Sequence, residues 1–84
     1  MGSKVRIPIE PGRRFRRHAG TYDLQNKSPL YSVEVVAPSP EAERQVSDDS
    51  EIMGSAGNHF WVWNIKNNSS SIVYVTLLKD GMPV

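Results

Sequence analysis

Asn58-His59-Phe60-Trp61-Val62-Trp63-Asn64-Ile65-Lys66, then Asn67-Asn68-Ser69-Ser70-Ser71, then Ile72-Val73-Tyr74-Val75-Thr76-Leu77-Leu78-Lys79-Asp80-Gly81, is the stretch whose reading decides the fold. Two runs rich in β-branched and aromatic residues flank small polar ones, the pattern of a β-hairpin. Opposing Trp61 with Leu77, Trp63 with Val75 and Ile65 with Val73 gathers large apolar side chains on one face, which becomes the core. The other face pairs Phe60 with Leu78, Val62 with Thr76, Asn64 with Tyr74 and Lys66 with Ile72, so it is half polar. A slip of one residue would bury Asn64 and Lys66, which specifies the alternation strongly.

Outward from there, the chain of 84 residues is read as one domain. A chain this short buries only about 60–65% of the surface it exposes when unfolded, so its core is thin. The formal net charge is +1, which argues against a general polyanion binder. The charge is nevertheless uneven. Residues 1–20 carry Lys4, Arg6, Arg13, Arg14, Arg16 and Arg17 against Glu10, whereas residues 41–52 carry Glu41, Glu43, Asp48, Asp49 and Glu51 against Arg44. There is no cysteine, which excludes disulfides and thiolate metal sites and leaves stability to packing or assembly. No apolar run at the start suits a signal peptide, and no segment approaches the ~20 apolar residues of a membrane span.

Residues 4–9 alternate, with Val5, Ile7 and Ile9 on one side, and Pro8 restricts them to an edge strand or an arm. Pro11-Gly12 ends it as a turn. After the basic run, residues 21–36 read as a first hairpin, with Tyr22 opposite Val35 and Leu24 opposite Val33 around Lys27-Ser28-Pro29-Leu30. The two hairpins look alike: Tyr22-Asp23-Leu24-Gln25-Asn26-Lys27-Ser28 parallels Trp63-Asn64-Ile65-Lys66-Asn67-Asn68-Ser69. Between them, residues 37–57 form an acidic polar connector that crosses between sheets. Within it, residues 41–46 suit a helical turn or an exposed strand, Glu51-Ile52-Met53 a short strand, and Gly54-Ser55-Ala56-Gly57 a flexible link. Asp80-Gly81 is a turn signal that calls for a further strand, from this chain or from a neighbour.

Several constellations could carry function. Arg13, Arg14, Arg16 and Arg17 around Phe15 resemble an RNA-binding arm, with guanidiniums for phosphates and the ring for a base. The competing reading is a solvated arm that pairs with the acidic segment. Trp61 and Trp63 suggest sugar stacking, but the alternation buries both. Phe60, Val62, Ile72, Tyr74 and Leu78 form an apolar face large enough to need a cover, and self-association is the expected one. No catalytic residue is assigned: His18 and His59 have no nucleophile or carboxylate placed to complete a triad. No metal site is assigned either, because Asp48, Asp49 and Glu51 lack the spacing of a Ca²⁺ loop, and no cofactor motif is present. Asn26, Asn67 and Asn68 each satisfy the N-glycosylation pattern at expected hairpin tips, where Asn and Ser are also the ordinary turn residues.

Asn- and Ser-rich turns feeding aliphatic strands are similar in a general way to immunoglobulin-like sandwiches, although their Cys and Trp spacing is absent. The expectation is therefore all-β: a small antiparallel β-sandwich, immunoglobulin-like, or an open barrel of five to seven strands built on two hairpins. The expected function is a non-enzymatic, homo-oligomeric assembly module that associates through its apolar face or an edge strand. Nucleic-acid or polyanion binding through the basic run is the alternative, and a lectin-like module a further one.

Overall fold

The computed structural model describes residues 5–84; Lys4 and the Met1-Gly2-Ser3 start lie outside the described residues. Along the chain come β1 (Ile7–Ile9), β2 (Arg14–Thr21), β3 (Tyr31–Val36), α1 (Pro40–Arg44), β4 (Val46–Asp48), β5 (Glu51–Ser55), β6 (Asn58–Asn67), β7 (Val73–Lys79) and β8 (Met82–Pro83). They form two antiparallel sheets, a small all-β sandwich. The first sheet is centred on β7, with β3 along one edge and β1 and β8 end to end on the other. In the second sheet β6 is central, with β2 along one edge and β4 and β5 end to end on the other. The Cα envelope is 40 × 32 × 17 Å, its short axis fitting two layers stacked at about 10 Å.

Neither long hairpin expected from the sequence exists. β6 and β7 follow one another but lie in opposite sheets, so residues 68–72 form an arch between layers rather than a hairpin tip. Residues 22–30 likewise cross from β2 in one sheet to β3 in the other, and Leu24, expected inside, is exposed on that crossing. The likeness between the two stretches is therefore real, but what they share is an arch. Residues 37–57 do cross between sheets, yet they also contribute α1, β4 and β5 rather than a bare connector. Ala56-Gly57, read as part of a flexible link, is the turn of the β5–β6 hairpin. Its φ values of 28° and 85°, like those of Asp80 (52°) and Gly81 (79°) between β7 and β8, match the positive-φ two-residue turns whose twist suits paired strands.

Alternation fared better than pairing. Ile65, Val73 and Val75 are fully buried, and Trp63, Leu77, Ile9 and Tyr31 nearly so. Their side chains meet across the layers, with Tyr31 edge-on to Trp63 at 5.3 Å between centroids and stacked on Trp61 at 5.7 Å. Trp63 Nε1 donates to the Ser32 carbonyl at 2.9 Å.

Asn67 closes the arch. It is fully buried, and its side chain makes every hydrogen bond open to an amide. Nδ2 donates to the carbonyls of Ile9 (2.8 Å) and Ser71 (2.7 Å), while Oδ1 accepts from Ser69 N (2.9 Å) and Ser69 Oγ (2.6 Å). Two carbonyls on one side fix the orientation of the amide, because only a donor can face them. Its main chain binds the neighbouring turn, with Gly12 N donating to Asn67 O at 2.8 Å and Asn67 N donating to Arg13 O at 3.0 Å. Replacing Asn67 by Ala strands buried donors and acceptors, and the expected loss is about 3 kcal/mol of unfolding free energy. Equilibrium urea denaturation measures it; a loss below about 1 kcal/mol would contradict this role.

Candidate functional site

Because β6 and β7 occupy different layers, the expected apolar face is divided. Phe60 and Val62 lie on the outer side of the β6 sheet, Tyr74 and Leu78 on the outer side of the β7 sheet, and Ile72 in the arch between them. These residues do not form one surface. Val62 is also sealed by its own neighbours at 1% exposure, whereas Tyr74 and Ile72 are exposed. The outer side of the β7 sheet carries Pro8, Val36, Tyr74, Leu78 and Pro83 around buried Thr76.

The basic run is not an arm but most of β2, and its alternation separates the side chains. Arg14, Arg16 and His18 share the outer side with Lys66, Asn64 and Val62, their partners on β6. Phe15 points inward, packs partly buried against the core and lies 5.5 Å beneath the Arg17 guanidinium, rather than standing free among the arginines. Arg14 donates from Nη1 to Asp49 Oδ2 (3.0 Å) and Asn64 Oδ1 (2.6 Å), an ion pair of the kind expected between the basic and acidic segments. At these exposures it stabilises by less than about 1 kcal/mol. Arg13 lies in the turn before β2, beside a shallow depression lined by Ile9, Phe15 and Ile72. His18 stacks on Phe60 at 5.2 Å.

Neither tryptophan offers a bare face for a sugar: Trp63 is 2% exposed and Trp61 is partly buried under Tyr31. Trp61 Nε1 is buried with no hydrogen-bond partner among the described residues. Of the glycosylation patterns, Asn67 is inside the arch, while Asn26 and Asn68 are exposed.

The sheet edges distinguish themselves more sharply. A strand edge presents unpaired N–H and C=O groups that another chain can join, and proteins guard such edges with charge, proline, bulges or brevity. β1 is three residues with Pro8 in the middle, and β8 is two residues ending in Pro83. β2 is long but carries Arg14, Arg16, Arg17 and His18 and is broken by a register shift between His18 and Thr21. β4 has three residues, and β5 has five, with a positive φ of 120° at Gly54. β3 alone, Tyr31-Ser32-Val33-Glu34-Val35-Val36, has six residues, no proline, no bulge and a single charged side chain. Beyond β7, no main-chain hydrogen bond from another described segment reaches Tyr31, Val33 or Val35.

Two contacts fix how β3 presents that edge. Asp80 N donates to Leu30 O at 2.7 Å, and Val84 N donates to Leu77 O at 3.0 Å on the far side of β7. Antiparallel ladders alternate, so Ser32, Glu34 and Val36 direct their main-chain groups at β7, whereas Tyr31, Val33 and Val35 direct theirs away from it. The entry to β3 is held by Leu30 N donating to Asp80 Oδ1 (3.0 Å) and by the loop before it. That loop contains the cis Ser28-Pro29 bond and closes on Asp23, whose backbone pairs with Ser28. Sequence reasoning named an edge strand only in general terms. The signal in the chain was the lack of Lys, Arg and Pro from residues 31–36.

Comparison with known protein families, with curated proteins and with solved structures finds no match for this chain.

The Asp23 carboxylate is held below its ordinary value of 3.8, first by the Asn26 side-chain amide (2.6 Å), then by the Asn26 and Gln25 backbone N–H groups. A depressed value means the loop is favoured above the ordinary aspartate range and loosens as the pH falls through the lower, folded value. The Gln25 and Asn26 amide NMR shifts are expected to titrate with a midpoint below 3.8, and Asp23→Asn to abolish that titration. A midpoint at or above 3.8 would refute the assignment.

Proposed function

We propose that this chain is a non-enzymatic assembly module that accepts an added strand at the edge of β3. The observation that carries the reading is the contrast among edges: the others described are short, prolyl, rich in positive charge and bulged, or carry a positive-φ glycine, whereas β3 has six residues and one charged side chain, Glu34. Strand addition uses main-chain hydrogen bonds for affinity and side-chain alternation for selectivity. The alternating, mainly apolar sequence of β3 suits both. About six main-chain bonds at ~1 kcal/mol each, set against the cost of association, make the contact weak, with a dissociation constant above about 1 μM.

Proline at position 33 tests it. Val33 N–H points away from β7, so Val33→Pro removes no bond within the chain but blocks the edge. Sedimentation velocity across the micromolar to millimolar range is expected to show association for the wild type and a monomer for Val33→Pro, with unchanged far-UV circular dichroism. Val35→Pro, whose N–H also points outward, gives the same result by an independent change. Association that survives both substitutions, or a wild type that stays monomeric throughout, would remove the reading.

A second reading rests on the outer side of the β6 sheet, where Arg14, Arg16 and His18 stand in a column beside Lys66. Residues two apart on a strand are about 6.8 Å apart, a row suited to a phosphate backbone. A fluorescent single-stranded oligonucleotide is expected to bind with affinity that falls steeply with salt and drops in the Arg16→Ala/Lys66→Ala double variant. Binding indifferent to either change would dismiss it.

A further inference from the structure

We infer that the strand added to β3 is β3 of a second copy of this chain, antiparallel, with Val33 of one copy facing Val33 of the other across a two-fold axis. This rests on the reading of β3 as the assembly edge and adds to it a partner and a register.

Phase comes first. Only Tyr31, Val33 and Val35 turn their main-chain groups outward, so new ladder bonds must form between residues from that set. A two-fold axis perpendicular to the sheet also keeps core-facing side chains with core-facing ones. Four centres that overlap three or more residues of the strand satisfy both conditions, at Ser32, Val33, Glu34 and Val35. Centring on Ser32 or Val35 uses little of the strand, because only residues 31–33 or 34–36 then overlap. Centring on Glu34 sets two carboxylates directly opposite one another, which disfavours that pairing. Centring on Val33 uses Tyr31, Val33 and Val35 together. Tyr31 then faces the second copy's Val35 and Ser32 faces its Glu34, so apolar residues meet apolar and polar meet polar.

That self-matching about position 33 is why a second copy, rather than an unrelated peptide, is the occupant. Closure points the same way. Among the described strands each copy has one edge without these guards, and an isologous contact consumes both, so assembly stops at a dimer instead of growing into a filament.

Cysteine scanning reads the register directly, because the chain has no thiol of its own. Ser32→Cys, Val33→Cys and Glu34→Cys are each oxidised under native conditions and in urea, and dimer formation is followed on non-reducing gels. A hydrogen-bonded antiparallel pair holds its Cα atoms about 5.5 Å apart, within disulfide reach. V33C is therefore expected to cross-link at least about tenfold faster than S32C or E34C when folded, and at the same rate in urea. If S32C or E34C is fastest, or if the three rates are equal while Val33→Pro is monomeric, the register is overturned and the assembly edge stands. If the folded rates match those in urea and Val33→Pro still associates, the edge reading fails with it.

Discussion

One buried amide holds this sandwich together. Asn67 ends β6, and its four side-chain hydrogen bonds reach the end of β1 through Ile9 and the arch leading to β7 through Ser69 and Ser71. Without that closure the chain leaving β6 would have two uses for its polar link: to fold back beside β6, or to cross over it. The second wins because the crossing satisfies every polar group of Asn67 inside the protein, where an unsatisfied one costs about 1–3 kcal/mol. Once β6 and β7 are stacked instead of paired, the edges of each need other strands. Chain order then supplies them: the tight turn after β1 brings β2 alongside β6, and residues 22–30 carry the chain over to β7 as β3.

The same arrangement accounts for the candidate site. Two long central strands surrounded by shorter ones make a body with many edges, each a potential junction with other molecules. Most of those edges are guarded by the features that the sequence displays most openly: prolines in β1 and β8, arginines in β2, a positive-φ glycine in β5. The basic run, which draws attention as a ligand-binding arm, is also what makes β2 a poor partner for another strand. β3 lacks any of these features and stands apart on that account. The sheet faces differ as well, one lined with arginine, histidine and lysine and the other with tyrosine, leucine, valine and proline beside Ser32 and Glu34.

Trp61, Trp63, Ile65, Val73, Val75 and Leu77 illustrate how far periodicity reaches. All were expected to point inward, and all pack in or against the core. Yet side chains alternate in the same way whether two strands lie side by side at about 5 Å or face each other across about 10 Å, so parity is silent on which strands pair. The interface of Phe60, Val62, Ile72, Tyr74 and Leu78 depended on side-by-side pairing and is divided between the two sheets and the arch, with Val62 buried besides. Phe15 shows the converse: placed in a basic run it reads as an exposed ring, but one residue of alternation turns it into the core.

By itself, then, the order of residues determined the all-β class, the inward set of side chains, the edge position of β1 and the turn at Asp80-Gly81. These depend on local properties: β-branching, period-two alternation, and the restricted backbone of proline and glycine. Only the tertiary structure decided that the Asn- and Ser-rich links are arches, that β2 pairs with β6 and β3 with β7, and that β3 is left with an unguarded edge. Those choices rest on contacts between residues far apart in the chain, such as Asn67 with Ile9 and Trp63 with Ser32, whose energies no local pattern encodes.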